Sequence, residues 1–424
     1  MRILMLPQFY PPIIGGEERF AHDLSVSLAR RGHDVTVVTF WQPGMSDFEM
    51  EGGVKIYRVH GFTQNIRWLY TDSARRLATP FPDPGVVKRL GEIIDFEKPE
   101  IIHGHNWMVY SCFPLIQKSG AKLVWTLNDH SLVCAKKKMI HYTGENCAAP
   151  GFERCLRCAS DHYGAAKGIP TTLANFIMQA TSHRVVDRFL PVSNSVAESC
   201  GLSASRLPFE VAPNFVPDDV GEERPVDPAL LAQLPEGDFM LFVGAFGHYK
   251  GVDVLLDAYR KMHDAPPLVL IGYDTPEYPV KTTDLPPNVR ILKNWNHYAV
   301  MAAWKRASIG FVPSVWAEPF GIVALEALAT GTPVIASRIG GLTDIIDDGE
   351  TGYLVTAGDS DALAAAAQRL IDQPELRQRM GQLASERVSR FKEATVIPQY
   401  ERIYREVLDQ VPAQQHEMIA AHDG

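Results

Sequence analysis

Positive charge is in short supply: 41 lysines and arginines stand against 50 aspartates and glutamates, for a formal net charge of −9. A protein whose main partner is nucleic acid is usually basic overall, so no nucleic-acid partner is expected, although a local basic patch remains open. Cysteine is scarce as well. Six in 424 residues do not make a disulfide scaffold, and an intracellular setting is the default. Long apolar runs are missing. No window offers the roughly 20 apolar residues of a membrane span, and the opening run Met1-Arg2-Ile3-Leu4-Met5-Leu6 meets Pro7 too soon for a signal-peptide core. A cytoplasmic protein is expected, with any membrane contact peripheral and on the cytoplasmic face.

What is present is an ordinary globular composition, 46% apolar and 21% charged, over a length that fits two domains. Short apolar runs alternate with longer amphipathic stretches. Strands are predicted at Ile3 to Leu6, Val35 to Phe40, Val54 to Val59, Glu100 to His103, Leu123 to Thr126 and Phe189 to Val192, with a helix from Glu17 to Arg31. A Pro-rich and acidic stretch from Pro208 to Leu234 reads as a linker. The rhythm then restarts. Strands are predicted at Phe239 to Val243, Leu268 to Ile271, Ile309 to Val312 and Pro333 to Ala336, a helix at Val252 to His263, and helical patterns from Asp359 to Leu408. The pattern is α/β, with parallel sheets covered on both faces. The expected division is 1–217, 218–394 and a last segment 395–424, whose tail from Gln410 should fray. The segment Cys134 to Tyr163, rich in Gly, Pro, Lys and Cys, reads as a loop inserted in the first domain.

Two places draw attention. Gly15-Gly16 closes the loop after the first strand and feeds a helix, where a backbone can approach a substrate and free N–H groups are on offer. No G-x-G-x-x-G follows that strand, so the dinucleotide fingerprint is absent. The stronger constellation is Glu318-Pro-Phe-Gly-Ile-Val-Ala-Leu-Glu326. Glu318 falls just ahead of a helix and Glu326 within it, and the N–H groups of Phe320 to Val323 suit phosphate. Carboxylates accept paired hydrogen bonds from diols, so one suits sugar hydroxyls and the other a ribose. Helix capping and chance spacing are the plain alternative for a pair of glutamates.

Together with Glu100-Ile-Ile-His-Gly-His105, Val192-Ser-Asn-Ser195, Pro213-Asn214, Val243-Gly244, Lys250-Gly251 and Gly340-Gly341…Asp348-Gly349…Gly352, these marks run in order through nearly the whole chain. The chain resembles the retaining GT-B glycosyltransferases of family 4. The resemblance implies two Rossmann-like domains facing a central cleft, with the last helix crossing back to the first domain. It implies an acceptor-binding first domain and a second that binds a nucleotide sugar of the UDP or GDP type. By resemblance Glu318 contacts the donor sugar, Glu326 holds the ribose, Lys250 neutralises the diphosphate, and His105 lines the cleft. His105, Lys250 and Glu318 form the expected catalytic set. Gly15, Gly16, Gly244, Lys250, Glu318, Phe320, Gly321, Ile322, Val323 and Glu326 form the expected donor-binding set. Relatives often carry an arginine right after the glycine matching Gly244, and here that residue is Ala245, which leaves the second phosphate contact unassigned. A nucleotide-sugar epimerase, a phosphorylase and a non-catalytic nucleotide-sugar-binding protein stay open as rivals on the same architecture.

Smaller features remain. His103 shares a strand face with His105 and suits the core. Asn128-Asp129-His130 ends the next strand and is a cleft candidate. Asp359-Ser360-Asp361 has the D-x-D form but precedes an alanine-rich helix, so it is read as a cap; no metal and no cofactor are expected for the reaction. Cys155-Leu-Arg-Cys158, with Cys134 and Cys147 nearby, has metal-knuckle spacing, against which stand a disulfide pair or free thiols. Lys136-Lys137-Lys138 is either a solvated run or a surface for an anionic acceptor or lipid.

Overall fold

The computed structural model describes residues 1–13, 15–66, 76–274 and 285–410. The tail expected to fray lies, from residue 411 onward, outside the described residues.

Seven strands form the first sheet: β1 (Arg2–Leu6), β2 (Asp34–Phe40), β3 (Phe48–Glu51), β4 (Val54–Val59), β5 (Ile101–Gly104), β6 (Lys122–Leu127) and β7 (Arg188–Pro191). Their order is β3-β4-β2-β1-β5-β6-β7, parallel except for the β3–β4 hairpin. The second sheet holds β8 (Met240–Phe246), β9 (Leu268–Asp274), β10 (Val289–Lys293), β11 (Ile309–Val312), β12 (Val334–Ser337) and β13 (Gly352–Val355). Its order is β10-β9-β8-β11-β12-β13, parallel throughout. The central runs form strands because helices cover both faces: every residue of Ile3 to Leu6 and of Ile309 to Val312 is buried. Each sheet reverses direction beside a central strand, β1 in the first and β8 in the second. The loops after β1, β8 and β11 therefore open at the carboxyl edges where α/β sheets leave a crevice. Those loops carry Gly15-Gly16, Lys250 and Glu318.

The segment expected to be an inserted loop is irregular only in its first half. Phe152–Tyr163 is a helix, followed after Gly164 by the helix Ala165–Val185. The two pack so closely that a Cβ on Gly168 would lie 2.5 Å from the Ala159 backbone. The Gly, Pro and Lys content of residues 134–151 dominated the sequence pattern and hid the helical half.

The last helix, Glu393–Asp409, packs on the first sheet. Val396, Ile397, Tyr400, Ile403, Tyr404 and Val407 are buried in one cluster with Ile3, Met5, Leu24 and Ile101 of the first domain. Glu401 accepts hydrogen bonds from Arg31 Nε at 2.8 Å and pairs with His33 Nε2 at 2.9 Å. Among the described residues, no helix is long and apolar enough to cross a membrane.

Candidate active site

Glu318 is buried, 7% exposed, and its Oε1 receives two hydrogen bonds, from Lys250 Nζ at 2.5 Å and from Ser314 Oγ at 2.6 Å. Lys250 follows β8 on a short 3-10 turn, and its ammonium lies 5.6 Å from the Trp316 ring and 5.8 Å from the Tyr249 ring. The Glu318 backbone rests on Gly340-Gly341. Gly341 N donates to Glu318 O at 2.7 Å, and a Cβ on Gly340 (φ +63°) would fall 2.3 Å from that same oxygen. Any larger residue would push the carboxylate out of place.

The helix Ile322–Ala329 starts at Gly321 (φ +105°), with no side chain capping it. Ala324 N and Leu325 N bond Gly321 O, and no side chain takes the N–H groups ahead of them. Phe320 is buried edge-on against Phe391, centroids 5.9 Å apart, so only its backbone can face a donor. Glu326, one side of the helix further on, is 5% exposed and accepts from Arg19 Nη1 at 3.1 Å, with His297 Nδ1 at 3.6 Å. Burial pushes the Glu326 carboxyl up to about 7, against the pull of the Arg19 charge. Burial and the same arginine push His297 down to about 4, so its ring is neutral.

A cavity of about 750 Å³ opens at this point between the domains, lined among others by Gly16, Arg19, Asn214, His297, Ile322 and Glu326. A Cβ on Gly16 would meet nothing within 4 Å, so this glycine leaves space open. Lys250, Glu318 and His105 do not line that cavity. Lys250 thus pairs with Glu318 ahead of the helix, while Gly16 and Ile322 line one cavity with Glu326 within it. Gly244 and Ala245 lie in β8 opposite Gly272 and Tyr273.

On the opposite wall, His105 follows β5 and is fully buried, stacked on His103 at 4.4 Å. Its Nδ1 stands 3.4 Å from Asn128 Nδ2, and its Nε2 has no partner among the described residues. Burial lowers its pKa to about 3, so the ring is neutral. His103 is a core residue, bonded to Tyr404 OH and Thr126 Oγ1, each at 2.7 Å. Glu17 accepts from Asn106 Nδ2, and its carboxyl is raised to about 8 by desolvation and then by Glu18 and Asp129, with Lys137 opposing.

Four contacts cross the cleft to the Glu318 loop. Ser193 Oγ donates to Pro319 O at 2.6 Å, His130 Nε2 faces Ala317 O at 3.4 Å, and Asn146 reaches Val315 O at 2.8 Å and Ala317 N at 3.3 Å. Of the Asn128 to His130 candidates, His130 is thus a cross-cleft contact. Lys137 lies over the Trp107 ring and Lys138 over the Tyr249 ring, so these two lysines are not merely solvated. Asp359 caps its helix, accepting from Ala362 N at 2.9 Å.

Residues 14–220 match the family described as Glycosyltransferase Family 4, and residues 231–387 match Glycosyl transferases group 1. The chain belongs to glycosyltransferase family 4. It is similar to the glycogen synthase of Mycobacterium tuberculosis, 27% identical over 95% of this chain and 94% of that one. It is also similar to the phosphatidyl-myo-inositol mannosyltransferase of Mycobacterium leprae, 34% identical over 45% and 53%. Among solved structures, sucrose-phosphate synthase from Thermosynechococcus elongatus superposes with a TM-score of 0.70 over 96% and 99% of the two chains, at 22% identity. Anabaena HepE in complex with UDP-glucose does so with 0.64 over 96% and 100%, at 17% identity. The fold is GT-B. Members of family 4 are retaining, and this member is a glycosyltransferase that moves a sugar from a nucleotide sugar.

Arg19, Glu17, Asn106 and His297 were not singled out in the sequence. The one available signal was the missing cation at Ala245, which calls for an arginine elsewhere.

Proposed function

We propose that the protein is a metal-independent hexosyltransferase that moves a sugar, with retention, from a UDP- or GDP-type donor to a hydroxyl acceptor in glycan, glycolipid or other glycoconjugate biosynthesis. The nucleotide sugar binds the second domain, 218–394, and the acceptor the first, 1–217. The observation that carries this is the Lys250–Glu318 contact of 2.5 Å beside an uncapped helix N-terminus, with Glu326 facing a 750 Å³ cavity eight residues along. A diphosphate at that N-terminus meets Lys250 and the free N–H groups. The ribose reaches Glu326, and the sugar reaches Glu318.

The ion pairs assign work to the charges. As the glycosidic bond breaks, negative charge grows on the diphosphate and positive charge on the sugar ring. Lys250 and the helix N-terminus stabilise the first, and the Glu318 carboxylate the second. Glu318 is already held by Lys250 and Ser314, which suits a fixed charge better than an attacking nucleophile. The ribose can occupy Glu326 only when Arg19 leaves it, and Arg19 then supplies the phosphate contact that Ala245 cannot. Cross-cleft bonds from Ser193 and His130 hold the domains together around the donor and exclude water.

The test is a thermal-shift panel of UDP-, GDP- and ADP-sugars, followed by transfer assays with the anomeric configuration read by NMR. One nucleotide class should raise Tm, and the product should keep the donor's configuration. Inverted product, or phosphate-dependent turnover without an acceptor, would overturn the reading.

A further inference from the structure

Outside the cavity that holds Glu326, Cys134, Cys147, Cys155 and Cys158 line one small pocket of about 20 Å³ under the helix Phe152–Tyr163. That is room for a single water-sized or ion-sized occupant. Lys136 and Arg154 line the same pocket, so cationic side chains stand where a group of thiolates would need them. The chain gathers the four thiols in two steps. Cys147 N donates to Met139 O at 2.7 Å and closes a small bridge, Ile140 against Asn146, which returns Cys147 towards Cys134. Cys155 and Cys158 then stand three residues apart on one helix.

One backbone N–H is already aimed at sulfur: Gly151 N donates to Cys155 Sγ at 3.5 Å. Two of the thiols spend their protons locally: Cys147 donates to Ala149 O at 3.3 Å and Cys158 to Ile140 O at 3.7 Å. All four are free thiols here. Among the described residues, no three ligating side chains stand close enough around one point to hold a metal ion as they are oriented here, so binding requires the thiols to turn into the pocket that they line. Cys147 and Cys158 line that pocket while their S–H groups point to carbonyls at its edge, so rotation of these two side chains is the change that an ion would require.

We propose that these four cysteines form a structural tetrathiolate site for a thiophilic divalent ion of the zinc class. One ion exchanges for four protons: four thiols and M²⁺ give M(S)₄²⁻ and 4 H⁺, with sulfur about 2.3 Å from the metal and no change of oxidation state. The dianion sits against Lys136 and Arg154. The bound ion pins the Ile140–Asn146 bridge, and Asn146 is the residue that crosses the cleft to Val315 and Ala317, just ahead of Glu318. The site therefore steadies the loop that faces the sugar carboxylate, without touching substrate itself.

The test uses the full chain, purified under reducing conditions without chelator. Elemental analysis should find one zinc per chain, released by a mercurial reagent. Replacement by Co²⁺ should give the sulfur-to-cobalt charge-transfer band and the intense visible bands of a tetrahedral thiolate site. The double variant Cys155→Ser/Cys158→Ser should lose the ion, and Cys112→Ser/Cys200→Ser should keep it. If the first variant fails to fold, the charge-transfer intensity of the wild-type cobalt form decides by the number of thiolate ligands. The proposal falls if reduced protein binds neither Zn²⁺ nor Co²⁺. It falls equally if the Cys155/Cys158 variant binds as wild type, or if thiol counting finds the four cysteines paired as disulfides.

Discussion

Arg19 of the first domain and Glu326 of the second meet across the cleft, Nη1 to Oε1, at 3.1 Å. The carboxylate assigned to the ribose is therefore occupied by the protein's own arginine before any donor arrives, and donor binding becomes an exchange of partners. The exchange makes an unusual pair of expectations with opposite signs.

Arg19→Ala should weaken binding of a nucleoside diphosphate by about 10- to 100-fold, the equivalent of one charge-assisted contact of about 1.5–3 kcal/mol. The same substitution should strengthen binding of the bare nucleoside, because Glu326 no longer has to be released. Calorimetry with both ligands checks this. A fall for both would mean that Arg19 contacts the nucleoside portion instead.

The two glutamates should separate in kinetics. Glu326→Ala removes an interaction present before and during reaction, so donor KM rises and free-nucleotide binding weakens. Glu318→Gln should lower kcat by something on the order of 10²-fold, as for one preorganised polar contact, with nucleotide affinity near wild type. Steady-state rates beside nucleotide binding decide, and the reverse pattern would exchange the roles.

Donor affinity should depend on pH through Glu326. Its carboxyl titrates at about 7 in the free protein, and ribose hydroxyls donate to the ionised form. Affinity should then rise as pH increases through about 7 and level off above it, falling about tenfold for each unit below that value. The intact nucleotide sugar is the probe to use, because its diphosphate diester does not titrate in this window. Glu326→Gln should flatten the profile, and a flat wild-type profile would remove Glu326 from the ribose site.

His105→Phe keeps a ring against His103 and Phe20 while deleting the unpaired Nε2. If that nitrogen meets a sugar or acceptor hydroxyl, kcat/KM should drop with little change in Tm or in free-nucleotide affinity. Loss of Tm with wild-type kinetics in the surviving protein would make His105 a packing residue.

Acid should loosen the final helix. Hydrogen bonding to Arg31, with His33 assisting against the cost of burial, holds Glu401 down at about 2 against an ordinary 4.5. Stability from this carboxylate is therefore present above about 4.5 and is lost as pH falls through about 2. The Tm difference between wild type and Glu401→Gln should shrink over that range and stay constant above it.

Much of this arrangement could be read in the residues, for physical reasons that also explain the gaps. Strands β1, β8 and β11 show as apolar runs, and β2 as one broken only by Thr36 and Thr39, because both of their faces are covered. The edge strands β3, β10 and β13 went unrecognised: Phe48-Glu-Met-Glu51 and Val289-Arg-Ile-Leu-Lys293 carry charge on an exposed face, and Gly352–Val355 opens on a glycine and is buried on one face only. Glu318, Glu326 and Lys250 could be singled out as candidates because they lie in short motifs that follow β8 and β11. Arg19 was not, since a lone arginine on an amphipathic helix looks like any solvated face until the second domain is placed opposite it. The helical half of the cysteine segment was hidden for a similar reason: its partner, Ala165–Val185, lies outside the stretch whose composition drew attention.

Tyr404 closes on His103, and Val407 shares a core with Ile3 and Met5. In the order of synthesis, the first domain emerges from the ribosome early yet must wait, with part of one sheet face uncovered, until nearly the last turn of chain has followed the whole second domain. The first domain therefore stays incomplete for as long as the second is being made. A nascent chain halted after the second domain would still present that uncovered face to chaperones.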